Sequence, residues 1–244
     1  MSDRTVFRIS GAEAQEFLQG LVTNDVANLS EGLVYAAMLT PQGKYRADFL
    51  LVPDGENILL DVAAPLAADL KKALTMYKLR SKVEIEETDL AVTRGLGDAP
   101  DGAFADPRDP ALGWRGYDGQ PGDADVDWDA VRVAALVPES GIELTEDSYI
   151  LEMGFERLNG VDFRKGCFVG QEVVARMKHK TQLRKGLARV ALEGRAPVGT
   201  EILCGEKTAG TLFTQAGDQG LAYLRYDRAG SDMRAEDATV HYTP

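Results

Sequence analysis

Residues 161–176 read Val161-Asp162-Phe163-Arg164-Lys165-Gly166-Cys167-Phe168-Val169-Gly170-Gln171-Glu172-Val173-Val174-Ala175-Arg176. Two glycines bracket a single cysteine, and a helical pattern opens just after the second. Glycine permits close backbone approach and torsions that other residues avoid. A helix N-terminus and the neighbouring Arg164 and Lys165 both favour thiolate over thiol. Cys167 is therefore a candidate nucleophile or transient metal ligand. It also reads as a small buried hydrophobe, the commonest role of a free cysteine, and the residues alone leave both readings open.

Outward from this stretch the chain changes texture twice. Upstream, Ser10-Gly11-Ala12-Glu13 has the spacing of a capping box, and Ala14, Phe17, Leu18 and Leu21 follow at helical intervals. Leu33 to Leu39, Tyr45 to Val52 and Ile58 to Val62 alternate between turns at Thr40-Pro41-Gln42-Gly43 and Pro53-Asp54-Gly55-Glu56, the pattern of an antiparallel meander. Pro65 opens a helix whose register is Leu66, Leu70, Leu74 and Tyr77 or Lys78. Val83 to Glu87 and Leu90 to Arg94 read as strands. From Gly97 to Asp125 the chain is rich in Gly, Pro and Asp and reads as surface loop, with a short strand at 111–115; Trp128 to Leu136 reads as a helix. Downstream of Lys185, Leu187 to Leu192, Glu201 to Leu203, Thr208 to Thr214 and Gly220 to Tyr226 are short strand-like runs broken by Gly, Pro or Asp, as in a small barrel or sandwich. The expectation is an α+β body over residues 1–184 and a β module over 185–244.

Composition narrows function. The chain has 244 residues, 27 Lys plus Arg against 39 Asp plus Glu, and a net charge of −12. Such a field repels nucleic acid, so no direct nucleic-acid partner is expected. No apolar run reaches membrane-span length, so no membrane partner is expected either. Two cysteines, Cys167 and Cys204, and two histidines, His179 and His241, form neither a disulfide framework nor a zinc site, and cannot supply the roughly four ligands of an iron–sulfur cluster. No metal ligands are assigned. With no apolar export segment near Met1, the expected location is the cytoplasm.

Lys165-Gly166-Cys167-Phe168-Val169-Gly170-Gln171-Glu172, with Ala175-Arg176, resembles the K-G-C-[YF]-x-G-Q-E-x-x-[AS]-R motif of YgfZ-type folate-binding proteins, relatives of the glycine-cleavage T-protein, an aminomethyltransferase. Ile9-Ser10-Gly11-Ala12, Phe17-Leu18-Gln19-Gly20, Thr23-Asn24-Asp25-Val26, Thr40-Pro41-Gln42-Gly43-Lys44 and Asp48-Phe49-Leu50 extend the likeness over most of the chain. The resemblance implies a ring-like body of α+β subdomains around a central folate-sized opening, with a C-terminal antiparallel β-barrel. It implies binding of tetrahydrofolate or a one-carbon derivative, and a role in assembling or maintaining iron–sulfur enzymes, including tRNA-modifying ones. The implied partners are folate and iron–sulfur client enzymes or assembly proteins. Cys167 maps onto the motif cysteine and Lys165 onto the motif lysine, the candidate reactive pair. Trp128 falls at the position of a folate-associated tryptophan, and an indole face stacks on a pterin.

Departures from the family pattern bear on activity. Arg132-Val133-Ala134-Ala135-Leu136-Val137-Pro138 aligns with the R-x-E-A-G-x-P stretch of the aminomethyltransferases and puts Ala134 where they carry a glutamate. A second folate-associated tryptophan would fall near Arg4. An accessory role is therefore favoured over a folate-dependent aminomethyl or methyl transferase, and a ligand-free scaffold is a third reading.

The remaining candidates each carry a structural alternative. Asp48 is a candidate partner for the pterin's N–H donors; since it shares a strand face with Arg46, it also reads as solvent-facing. Glu152 aligns with a family P-x-E carboxylate, or is a surface glutamate. Gln171 of the motif and Arg176 are further folate candidates. Arg176 belongs to a basic strip with Lys178, Lys180, Arg184, Lys185 and Arg189, suited to a folate's glutamate tail or an acidic partner, or else a solvated helix end. Asn24 and Asp25 read as structural, His179 as a surface residue, and Cys204 and Trp114 as packed.

Overall fold

The computed structural model describes residues 4–179, 182–230 and 232–243, which fall into two compact units: residues 1–125 with 155–175, and residues 126–154 with 176–244. Lys180 of the basic strip lies outside the described residues.

In the first unit β1 (Arg4–Ser10), β2 (Val34–Leu39), β3 (Tyr45–Asp54), β4 (Asn57–Ala63) and β5 (Glu84–Glu87) form one antiparallel sheet in the order β2-β3-β4-β1-β5. The β2-β3-β4 meander follows the alternation in the sequence. Strand β1, which pattern reading did not single out, is inserted between β4 and β5, with Phe7 opposite Leu60. α1 (Ala14–Gln19) follows β1, but the expected capping box is not made. Ser10 stays in β1, paired with Glu84, and the Glu13 carboxylate accepts from the Lys82 N–H instead. α2 (Ala64–Lys78), with Pro65 in its first turn, turns Ala67, Leu70, Ala73 and Leu74 inward. They pack with Phe7, Ile9, Leu18, Met38, Phe49 and Leu60 into the core of this unit. Burial of such side chains contributes roughly 1.5–3 kcal/mol each. The Gly- and Asp-rich stretch is organised by a small sheet of β6 (Thr93–Gly95), β7 (Phe104–Ala105) and β8 (Trp114–Gly116). Trp114 is buried there as expected, over Gly95.

The second unit holds α3 (Trp128–Ala134) and a closed antiparallel barrel. The barrel strands are β9 (Lys185–Glu193), β10 (Glu201–Cys204), β11 (Lys207–Ala216), β12 (Gln219–Arg225), β13 (Met233–Ala235) and β14 (Ala238–His241). Their order is β10-β11-β12-β9-β14-β13, closed by pairing of β13 with β10. Val190, Leu192, Ile202, Leu212, Leu224 and Val240 fill it, and Cys204 packs against that core. The β13–β14 hairpin is too short for alternation to show. Residues 126–154 group with the barrel, and a buried cluster shows why. Arg132 donates to Glu143 Oε2 (2.9 Å) and to the Thr214 hydroxyl on β11, while Thr214 donates to Glu143 Oε1 (2.7 Å). Arg132 also meets the exposed Asp129 at 2.9 Å.

Removing one partner of a buried pair strands the other charge, at a cost of about 3–5 kcal/mol, whereas an exposed ion pair contributes roughly 1 kcal/mol or less. Glu143→Ala is therefore expected to lower the urea-unfolding free energy of the full chain by about 3–5 kcal/mol and Asp129→Ala by under about 1 kcal/mol.

Candidate functional site

The cysteine motif is a loop whose side chains alternate between anchoring and presentation. Lys165 and Phe168 are buried, whereas Phe163, Arg164, Gly166 and Cys167 are exposed. The Lys165 ammonium sits in a nest of carbonyls just past α1, donating to Gln19 O (2.8 Å), Val22 O (2.5 Å) and Asn24 O (2.9 Å). Carbonyls left unpaired at a helix C-terminus carry partial negative charge, so a cation there is doubly suited. Burial lowers the lysine's pKa to about 8, against the opposing pull of Asp25 and Asp162. The ammonium also lies 5.4 Å from the Phe168 ring centroid.

Lys165 is thus a positioning residue. Its three donors are spent on backbone, which corrects the expectation that it serves as a reactive partner activating the thiol. The helix expected just after Gly170 is present, downstream of Cys167. α4 (Gln171–His179) begins four residues on, after Gly170 at φ +84°, which turns the chain into the helix. A Cβ on Gly170 would lie 2.7 Å from Thr40 O, and one on Gly43 would lie 2.6 Å from Val173 Cβ. The Thr40-Pro41-Gln42-Gly43 turn and the motif are therefore packed backbone to backbone. Cys167 itself is an exposed free thiol, so the reading of it as a buried hydrophobe fails.

Asp48 is buried, against its solvent-facing alternative. Its oxygens accept from the hydroxyls of Tyr35 (2.9 Å) and Tyr45 (2.6 Å). The shared face with Arg46 is broken by a bulge: Met38 pairs with Ala47 and Leu39 with Tyr45, which leaves Arg46 as the extra, exposed residue. Burial and the Asp48 carboxylate hold the Tyr35 phenol well above its ordinary pKa. Arg108 lies 5.3 Å from the Tyr35 ring centroid and grips Asp106 with two nitrogens (2.9 and 2.7 Å). Asp106 accepts from Arg115 Nε (3.1 Å), and Asp61 accepts from Arg115 Nη1 (3.3 Å), Tyr117 (2.9 Å) and Arg4 Nε (2.6 Å). Arg4, near which the resemblance put a missing folate-associated tryptophan, is thus a half-buried electrostatic partner of Asp61. Sequence reading missed Tyr35, Tyr45, Arg108 and Arg115. The charges Asp61 in β4 and Arg115 in β8 were a signal for the network; the two tyrosines and the loop residue Arg108 gave none.

The other candidates divide between the units. Gln171 opens α4 in the first unit, half-buried. Trp128, Glu152 and Arg176 lie in the second. Trp128 is half-buried at the start of α3, where Asp127 caps the helix through the Ala130 N–H. Glu152 is no free surface carboxylate: it accepts from the Tyr223 hydroxyl at 2.5 Å, and its backbone carbonyl accepts from the Leu187 N–H. Arg176, Lys178, His179 and Arg184 are exposed, while Arg189 donates to the Ala134 carbonyl at 2.6 Å. Asn24 is structural as expected, donating to the carbonyls of Tyr35 (2.8 Å) and Asn159 (2.7 Å). Asp25 caps the turn that follows it.

Burial alone would push the Asp61 and Asp106 carboxyls up, but their arginine partners overcome it and hold both below the ordinary carboxylate range. Groups depressed in the folded state contribute stability that is fully present above the unfolded value near 4 and is lost as pH falls below it. The urea midpoint is expected to fall steeply between pH 5 and 3, and less steeply in Asp61→Asn.

Comparison with known proteins adds to this geometry. Residues 184–244 match the model of the CAF17 C-terminal beta-barrel domain. The chain is 30% identical to the human "Iron-sulfur cluster assembly factor IBA57, mitochondrial", the match covering 92% of this chain and 76% of that protein, and the mouse protein matches equally. It is 31% identical to the IBA57 homologue of Neurospora crassa over 81% of this chain and 54% of the relative. The chain thus spans about half the length of that fungal relative. Among solved structures, aminomethyltransferase T of the glycine cleavage system from Bartonella henselae superposes with a TM-score of 0.75 at 14% identity, covering all of this chain and 84% of that one. This likeness shows the fold, which is the expected α+β body with a C-terminal antiparallel barrel. The expected cytoplasmic location is overturned by the relatives' names, which are those of mitochondrial proteins.

Proposed function

Because the chain belongs to the IBA57 family of iron–sulfur cluster assembly factors, we propose that it acts in the assembly or maintenance of iron–sulfur proteins, with Cys167 as its reacting group. One observation carries this reading: an exposed free thiol on a loop whose Lys165 and Phe168 side chains are turned inward. Among the described residues no group of three His, Cys, Asp or Glu side chains is placed to hold a metal ion. A cluster is therefore cargo, met jointly with a partner protein that supplies most of its ligands. The thiolate is the form that ligates iron.

Tetrahydrofolate or a one-carbon derivative is part of the proposal. The carboxylates first considered for it are engaged elsewhere, Asp48 by two tyrosines and Glu152 by Tyr223. They do not fit as pterin clamps. The half-buried Trp128 indole suits a flat ring, and the exposed Arg176 suits a glutamate tail. Folate, when bound, carries a one-carbon unit. An accessory role is preferred to aminomethyl or methyl transfer because Ala134 leaves α3 without the T-protein carboxylate.

The test is complementation. In cells lacking the native protein, Cys167→Ala should fold normally yet restore little iron–sulfur enzyme activity, while Cys204→Ala restores it fully; full restoration by Cys167→Ala would falsify the role of the thiol. Titration with tetrahydrofolate should quench tryptophan fluorescence, and that quench should vanish in Trp128→Ala.

A further inference from the structure

The C-terminal end of α2 is a surface that neither the thiol nor the folate reading uses. From Leu70 through Val83 the sequence holds Lys71, Lys72, Lys78, Arg80 and Lys82 and no acidic residue, in a chain of net charge −12. Among the described residues Lys72, Lys78, Arg80 and Lys82 form no ion pair. Between these cations the tip exposes large apolar side chains: Leu79 is 86% and Met76 66% accessible, and Tyr77 is also exposed. Leu79 ends the helix at φ 44°, a conformation a branched residue adopts at a cost. A glycine there would be unstrained. Beside the tip lies a cavity of about 670 Å³, lined by apolar side chains that include Phe7, Ala67 and Met76, by Lys71 and Lys72, and by Glu87 at one side.

We propose that this tip is a docking surface for a narrow acidic segment of a partner protein carrying bulky apolar side chains. The cations answer the partner's carboxylates, and the cavity and Leu79 answer its apolar side chains. The neighbourhood argues against a broad polyanion. Exposed Asp69, Glu84, Glu86 and Glu87 border the basic strip, and a flat anionic bilayer lying on the tip would be brought against them. A phosphate backbone has no apolar group for the cavity. A peptide-width ligand can follow Lys72, Lys78 and Arg80 and meets one carboxylate, Glu87, at the cavity. This inference is independent of the thiol's role.

The probe is an acetylated 15-residue peptide with leucines at three- and four-residue spacing and glutamates elsewhere, added to the full-length protein. Backbone NMR shifts or slowed amide exchange are expected at residues 71–82. The dissociation constant should rise at least about tenfold in Lys72→Glu/Arg80→Glu, and about tenfold when the peptide's leucines become serines. Leu79→Gly gives a signature that a merely structural role would not: unfolding stability equal or higher, with peptide binding weakened. The proposal is overturned if the peptide perturbs no residue of the tip, or if it binds the charge-reversed variant equally well. It is also overturned if phosphatidylglycerol–phosphatidylcholine vesicles engage the same residues while the peptide does not.

Discussion

A single ammonium group, that of Lys165, joins the cysteine loop to the far N-terminal part of the chain. Its three carbonyl partners belong to residues 19, 22 and 24, more than 140 positions away in sequence. No apolar side chain could replace it without leaving those carbonyls unpaired, and each buried unpaired polar group costs roughly 1–3 kcal/mol. Because Lys165 points inward, Gly166 and Cys167 are carried outward. The thiol is thus exposed as a consequence of where its neighbour is buried.

A second constraint surrounds this anchor. The edge of the sheet at β2 is covered by one short backbone bridge, Val22 with Met38 and the Thr23 N–H to the Ala37 carbonyl, and by two polar side chains. The Thr23 hydroxyl accepts from the Ala37 N–H and donates to the Gly160 carbonyl, and the Asn24 amide bridges the carbonyls of Tyr35 and Asn159. An unprotected edge invites pairing with other chains, and here the segment leading into the motif closes it. The same unit holds a chain of charges in which Asp61, Arg115 and Asp106 are buried, with half-buried Arg4 and Arg108 at its ends. Among the described residues every buried side-chain nitrogen and oxygen has a partner. Fully satisfied networks of this kind are rigid and intolerant of single changes.

Much of this was legible in the sequence. The meander, α2 and four of the barrel strands follow from alternation and turn residues, and the motif located the loop that exposes Cys167. The parts that were not legible depend on long-range geometry. Lys165 next to a cysteine reads as an activator by local charge logic, and only the distant end of α1 reveals it as an anchor. Asp48 read as solvent-facing because strict alternation put it on the face of Arg46; the bulge at Met38/Leu39 is invisible to a period-two reading. Ser10 was a plausible cap until β5 paired with it. The location was misread for a different reason, since a negative observation about an export segment says nothing positive about the compartment.

The most direct measurement is amide hydrogen exchange across residues 163–170 in the native protein and in Lys165→Met. The account predicts that the variant loses protection both there and at residues 19–24, while the barrel strands Lys185–Glu193 and Gln219–Arg225 exchange as before. Unchanged protection of the cysteine loop in Lys165→Met would contradict it.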